Sequence, residues 1–204
     1  MKIEFFKGVL YENNYFYNLI DFLKNRGQRN LRFKILNQFI KKKSSLIDIC
    51  GGCGWLRDHL DQSIKYTVAD ASKNFGEVCK KKKINFIKLN CNNNIIIPGK
   101  FDYGIMIISL YQFKKNLQKV IKNLKRISKK KVIIIEEILP IEEKNIITNI
   151  KKKIRDYLSY TNFNKKNNEL FNYQEFKKLM KKNKFKLITK YIHNNILIGV
   201  FKIK

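Results

Sequence analysis

The residues able to do chemistry gather in one stretch, Leu46–Leu60, LIDICGGCGWLRDHL, and in a few acids further along the chain. Asp48 lies inside an apolar run of Leu46, Ile47 and Ile49, where an unpaired carboxylate is costly and needs a partner. Gly51, Gly52 and Gly54 follow at once, and glycines there let a ligand approach the backbone closely. The unpaired N–H groups of a helix starting beyond them favour a nearby anionic group. Cys50 and Cys53 form a C-x-x-C at that helix start, a spacing that also suits a thioredoxin-like redox pair. A zinc site wants a second close pair, and Cys79 and Cys91 stand too far apart in sequence to look like one. The plainer reading makes the cysteines small buried residues beside a glycine turn. Glu136 and Glu137 end a predicted strand at the ligand-binding edge and are the only paired carboxylates near the candidate site. They suit a general base, a solvated strand end or a lysine pair. Only His59 and His193 are available as histidine bases, one on a helix and one beside a turn.

Positioning these groups takes a buried strand, a glycine turn and a helix N-terminus. Three ligand classes use that unit. A dinucleotide site expects Gly-x-Gly-x-x-Gly; Gly52 and Gly54 fit the first two positions, but the third falls on Arg57. A nucleoside triphosphate loop wants Gly-Lys-Ser/Thr after its spacer, and the stretch has none. The S-adenosylmethionine turn remains.

Around this unit the pattern predicts alternating helices and strands. Tyr15–Leu23 and Leu31–Ile40 carry apolar residues at helical spacing. They pack on the sheet or form a lid, in which Tyr11, Tyr15, Tyr17, Arg29 and Arg32 could reach a ligand. Trp55–Asp61 reads as a short helix. Ile64–Asp70 is a strand ending in an acid, and in nucleoside-binding α/β folds an acid there accepts hydrogen bonds from ribose hydroxyls. Ser72 is a helix N-cap. Ile84–Leu89, Phe101–Leu110 and Lys131–Leu139 are further strands, and Lys114–Ser128 is a basic amphipathic helix. Residues 142–183 read as helical segments around a polar gap, with Tyr173–Lys182 the clearest. Phe185–Ile192 and Ile196–Ile203 form a hairpin through Asn194-Asn195.

The stretch Asp48–Gly54 resembles motif I of the class I (Rossmann-like) methyltransferases, Asp-x-Gly-x-Gly-x-Gly. Asp48, Gly52 and Gly54 match it, and Cys50 replaces the first glycine. Asp70-Ala71-Ser72 falls at motif II, and Phe101-Asp102 with its apolar run resembles motif IV. The resemblance covers residues 44–204 and is closest to the group whose acceptors are mostly small molecules. It implies an α/β fold: a seven-stranded, mostly parallel sheet with helices on both faces and a C-terminal antiparallel hairpin. Residues 1–43 would be a helical cap on it. It implies S-adenosyl-L-methionine as cofactor, methyl transfer as activity and no metal. Asp48, Cys50, Gly52 and Gly54 would hold the methionine end, Asp70 the ribose, Asn90 the adenine edge, and Leu110 would line the site. Tyr15, Tyr111 and Glu136 are its candidates for the acceptor side. Asn90 stands where the family usually has Asp and can still accept through its carbonyl.

The chain has 204 residues and a formal charge of +28, enough length for one domain with a substantial core. No apolar run approaches the roughly 20 residues that span a membrane, and the N-terminus lacks a signal-peptide pattern, so a cytoplasmic protein is expected. The charge suits a nucleic acid or other anionic surface. Against that, lysine, asparagine and isoleucine are enriched nearly everywhere, as an AT-rich genome would produce. Arginine, the preferred phosphate partner, is confined to Arg26, Arg29, Arg32, Arg57, Arg126 and Arg155. The Asp-Pro-Pro-Tyr type of motif of base-methylating enzymes is absent, and Ser109 occupies the place of an aspartate in the 2′-O-methylating tetrad. The reading is therefore a methyltransferase acting on a small molecule. The alternatives are an RNA methyltransferase, a non-catalytic cofactor-binding subunit, or the redox pair.

Overall fold

The computed structural model describes residues 28–93, 100–139, 170–193 and 195–203. Tyr11, Tyr15, Tyr17, the helix expected at Tyr15–Leu23, the Pro98-Gly99 turn and residues 142–169 of the segment expected to form a substrate lid lie outside them. So does most of the expected cap, of which α1 (Gln28–Asn37) is described.

The strands are β1 (Ser45–Ile49), β2 (Lys65–Asp70), β3 (Asn85–Lys88), β4 (Phe101–Ile107), β5 (Ser128–Glu137), β6 (Lys186–His193) and β7 (Ile196–Lys202). They form one seven-stranded sheet in the order β3-β2-β1-β4-β5-β7-β6. Strands β1 to β5 pair in parallel, and β7 runs antiparallel to β5 and to β6. This is the mixed sheet expected from the sequence. The chain order reverses direction between β1 and β4, and open α/β sheets bind ligands at the strand C-termini beside such a switch point.

The burial pattern explains the layers. β1 and β4 are buried through their centres, so they carry near-continuous apolar runs rather than alternation. One face, with Ile47, Ile49, Met106 and Ile134, packs against α3 (Leu117–Ile127) and α4 (Tyr173–Lys182) through Val120, Ile121, Leu124, Phe176 and Met180. The other face, with Leu46, Tyr66, Val68, Ile105 and Ile133, packs against α1 through Phe33 and Leu36, and against α2 (Lys73–Lys81) through Cys79. The lysines of these helices stay in water and none of the described lysines is buried, whereas Arg32 of α1 is buried at 5% exposure.

Local signals place the helix starts. Ser72 Oγ accepts the Phe75 N–H at 3.4 Å. Asn172 and Glu175 form a reciprocal capping box, at 2.8 and 3.1 Å. Two helical expectations are corrected. The Trp55 segment is a 3-10 helix ending at His59, because the Arg57 guanidinium donates to the Asp61 and Ile64 carbonyls and folds the chain back into β2. The helix expected at Lys114–Ser128 starts as α at Leu117; a 3-10 helix, Leu110–Asn116, precedes it, kinked at Phe113. At the hairpin, Asn195 takes φ 63°, a left-handed conformation that asparagine tolerates.

Candidate functional site

The parallel register brings the C-terminal ends of β1 to β5 to one sheet edge, and with them Asp48, the glycine turn, Asp70, Asn90, Leu110 and Glu136. Asp48 is 3% exposed. Its Oδ2 accepts the Tyr66 hydroxyl at 2.7 Å, while its Oδ1 is buried without a hydrogen-bond partner. Burial pushes its carboxyl up to about 7, the Tyr66 hydrogen bond pulls it down, and Asp70 pushes it up again. A Cβ on Gly51 would lie 2.7 Å from the Asp48 Cγ, so only glycine lets the turn close over this carboxylate. Cys50, Gly52 and Gly54 all have left-handed backbones, at φ 59°, 54° and 69°. Cys50 thus occupies the first glycine position in the conformation glycine favours, with the strain that a Cβ brings there.

Asp70 is engaged by backbone. Its Oδ2 accepts the Gly52 N–H at 3.1 Å and its Oδ1 the Ser72 N–H at 2.9 Å. Burial raises its carboxyl against these bonds. The Ala71 N–H adds a third backbone contact, and a carboxylate has about four acceptor positions, so the clasp leaves capacity for one ligand hydroxyl. Asn90 Oδ1 accepts the Asn92 N–H at 2.9 Å, closing a turn after β3. That turn is tied to its surroundings by Asn116 Nδ2 donating to Asn92 Oδ1 at 2.8 Å, and by the nearly buried Asn123 donating to the Asn93 carbonyl at 3.1 Å. These asparagines looked like compositional background in the sequence. Only the seven-residue spacing of Asn116 and Asn123, two helical turns apart on one face, offered a signal.

At the end of β4, Ile108 has φ 46°, a conformation that is an outlier for a β-branched residue. Its N–H donates to the Ile135 carbonyl at 2.7 Å. The next residues turn sharply, and Glu136 Oε2 accepts the Leu110 and Tyr111 N–H groups at 2.8 and 3.2 Å. Glu136 is completely buried, so its reading as a solvated strand end is corrected: desolvation is offset by the orphan N–H groups of a 3-10 helix start. Burial pushes its carboxyl to about 8, with the same N–H groups pulling it down. Leu110 and Tyr111 are themselves buried.

Asp102 belongs elsewhere. It lies at the opposite sheet edge, where Oδ2 accepts the Ser45 N–H and Oγ–H at 2.9 and 3.0 Å and Oδ1 pairs with Lys130 at 2.8 Å. The motif IV acid is a latch between β1 and β4. Arg29 stacks over the Trp55 ring at 4.3 Å, while Arg32 lines a small groove with Leu31, Ile35, Tyr191 and His193 on the hairpin side. His59 packs against Phe33. All four cysteines are thiols rather than disulfides. Cys50 Sγ lies 3.6 Å from Cys91 Sγ, and Cys79 Sγ donates to the Gly52 carbonyl at 3.5 Å. Burial pushes Cys53 up to about 12 and Cys79 to about 11, the reverse of a redox-active C-x-x-C. Among the described residues no group of three His, Cys, Asp or Glu could hold a metal ion, and no helix is long and apolar enough to cross a membrane.

The sheet order, the switch point and the glycine turn at the end of β1 are the class I methyltransferase fold. The O-methyltransferase family protein from Burkholderia thailandensis superposes with a TM-score of 0.73 at 11% identity, over 97% of this chain and 63% of that one. The chain thus spans less than two thirds of that relative's length. A SAM-dependent methyltransferase from Thermotoga maritima gives 0.68 at 16% identity, over 96% and 99%. One from Aquifex aeolicus gives 0.58 at 16%, over 84% and 88%. No curated protein matches by sequence. Residues 30–197 match the family described as methionine biosynthesis protein MetW. The chain belongs to that family.

Proposed function

We propose that this chain binds S-adenosyl-L-methionine and transfers its methyl group to a small-molecule acceptor. The observation that carries the reading is the orphaned, buried Asp48 Oδ1 beside a turn whose glycines leave no side chain in the way. Charging a partnerless carboxyl oxygen in a dry site is costly, which is why burial pushes Asp48 up to about 7. A cationic ligand group, such as an ammonium or a sulfonium, would remove that cost. The residues present fit such a cofactor: Asp48 and the backbone of Cys50, Gly52 and Gly54 at the methionine end, Asp70 for the ribose hydroxyls, Asn90 for the adenine edge, Leu110 as wall. When bound, the cofactor supplies a methyl group on a good leaving group.

What the protein adds is position. The Asp70–Gly52 clasp fixes the turn, and Glu136 fixes Leu110 and Tyr111, so the acceptor would meet a preformed edge. Tyr111 and Glu136 are our candidates for the acceptor side, together with Tyr15, which lies outside the described residues. Glu136 would serve as a proton acceptor only after releasing the two N–H groups it now holds. A small-molecule acceptor is supported by the dispersed lysines and by the missing base- and 2′-O-methylation motifs. The charge of +28 guarantees polyanion affinity that falls steeply with salt, so binding of RNA alone decides nothing.

The test is calorimetry with S-adenosylhomocysteine and NAD, then methyl transfer from labelled cofactor to total RNA and to a metabolite extract at physiological salt. Heat from S-adenosylhomocysteine alone and label in a small organic product are expected. Site-specific stoichiometric label in RNA overturns the acceptor class. Binding without transfer to either pool makes the chain a cofactor-binding subunit.

A further inference from the structure

The thiols of Cys50 and Cys91 meet at the sheet edge, Sγ to Sγ at 3.6 Å, though 41 residues separate them in sequence. Cys50 lies in the glycine turn and Cys91 in the turn that follows Asn90. We propose that this pair is a modification site: a small-molecule disulfide converts the two thiols to a Cys50–Cys91 disulfide that links the two turns.

The accessibilities differ in the useful direction. Cys50 is half-buried and Cys91 is 2% exposed. Cys50, the more exposed residue of the two, is the one that meets the incoming disulfide, R–S–S–R, once the turn opens to uncover its desolvated thiol. Cys50 loses its proton and its sulfur attacks one sulfur of R–S–S–R, forming Cys50–S–S–R and releasing one thiolate, RS⁻. Cys91 then loses its proton and attacks the Cys50 sulfur, forming the Cys50–Cys91 bond and releasing the second RS⁻. The two cysteines are oxidised by two electrons, R–S–S–R is reduced to two thiols, and the two protons go to solvent and the thiolates. Closing the contact needs the sulfurs to approach to about 2.05 Å. The turn carrying Cys91 is held by side-chain hydrogen bonds from Asn116 and Asn123 and by its own Asn93 N–H to Asn90 carbonyl bond rather than by strand pairing, so the approach does not require a strand to move.

The C-x-x-C partner is not the competitor its spacing suggests. Cys53 is 1% exposed and burial pushes its thiol up to about 12, so an incoming disulfide does not reach it first. The Cys91 contact, burial and the nearby acids keep Cys50 protonated, so exchange is slow and the reduced form persists without an oxidant.

The consequence rests on the proposed cofactor site. The link would join the turn assigned to the methionine end to the one assigned to the adenine edge and draw the latter inward, so cofactor affinity should fall in the oxidised protein.

The full chain is incubated with oxidised glutathione or with dithiothreitol, alkylated, digested and mapped by mass spectrometry, and S-adenosylhomocysteine affinity is measured on both forms. Expected are a Cys50–Cys91 cross-linked peptide, a loss of affinity of about tenfold or more, and recovery of both states with dithiothreitol. Cys91→Ala should bind S-adenosylhomocysteine like the reduced wild type and lose the cross-link. A Cys50–Cys53 link, a stable glutathione adduct on Cys50, or no oxidation overturns the proposal. A cross-link with undiminished affinity overturns its effect on the site. If the reduced protein does not bind S-adenosylhomocysteine, the proposed function fails, and the disulfide stands or falls on the peptide map alone.

Discussion

The Asp70 carboxylate accepts the Gly52 amide of the glycine turn at 3.1 Å while its other oxygen holds Ser72 at 2.9 Å. One acid therefore ties the end of β2 to the turn after β1 and to the cap of α2. Asp70→Ala should cost about 1–3 kcal/mol of folding stability, the range for stranding buried hydrogen-bond partners. It should also weaken S-adenosylhomocysteine binding. Urea melts and calorimetry on the same sample separate the two effects. A folded variant with unchanged affinity would remove Asp70 from the site.

The strand C-termini were legible because apolar runs, a glycine turn and terminal acids are local signals. Asp48, Gly52, Gly54 and Asp70 declare themselves by type and spacing. What was illegible is tertiary. Nothing near Glu136 in sequence says that its carboxylate closes the start of a 3-10 helix 25 residues earlier. Nothing near Asp102 says that it latches Ser45 at the edge away from the site. The same holds for Cys50 and Cys91, whose contact spans 41 residues, while the C-x-x-C spacing pointed at Cys53 instead. Strand edges slipped by up to three residues, as at β5, which begins at Ser128 because pairing with Phe101 extends it.

Stability should depend on pH through Asp48. Its folded carboxyl lies near 7, above the unfolded value of about 3.9. Between those values the folded chain holds a proton that the unfolded chain has lost, so this group's contribution falls as pH rises through the window and levels off above it. Asp102, lowered to about 2 by Lys130 and Ser45, acts oppositely and only in acid. Asp48→Asn should abolish the Asp48 slope and be more stable than the wild type at pH 8 by about 1–3 kcal/mol, while losing cofactor affinity. Urea melts of both proteins at pH 5 and 8 decide it; parallel pH profiles would refute the assignment.

Cys50 and Gly51 should respond in opposite directions to substitution. Cys50 has φ 59°, so Cys50→Gly relieves a left-handed Cβ worth about 1 kcal/mol, partly offset by glycine's entropy and the lost Cys91 contact. A modest rise in Tm is expected. Gly51→Ala puts a Cβ 2.7 Å from the Asp48 Cγ and should lower Tm sharply, because the buried carboxylate must move. Equal effects of the two changes in thermal melts would contradict the turn geometry.

Glu136 can be separated into shape and charge. Its Oε2 holds the Leu110 and Tyr111 N–H groups, and a carbonyl oxygen in the same place would do so as well. Glu136→Gln preserves that oxygen, whereas Glu136→Ala strands two buried donors at about 1–3 kcal/mol each. The turn they hold includes Ile108 at φ 46°, a conformation that persists only while its neighbours over-determine it. The alanine variant should therefore be clearly less stable, and if the proposed site holds it should lose both methyl transfer and cofactor affinity, since Tyr111 is the proposed acceptor-side residue and Leu110 the proposed cofactor wall. The folded carboxyl sits near 8, above its unfolded range, so this group's contribution declines as pH rises from about 4 towards 8. Glu136→Gln should match the wild type at pH 5 and exceed it at pH 9. Denaturant melts at both values, with the alanine variant alongside, read out the two terms; an alanine variant as stable as the glutamine one would show that Glu136 does not hold the turn.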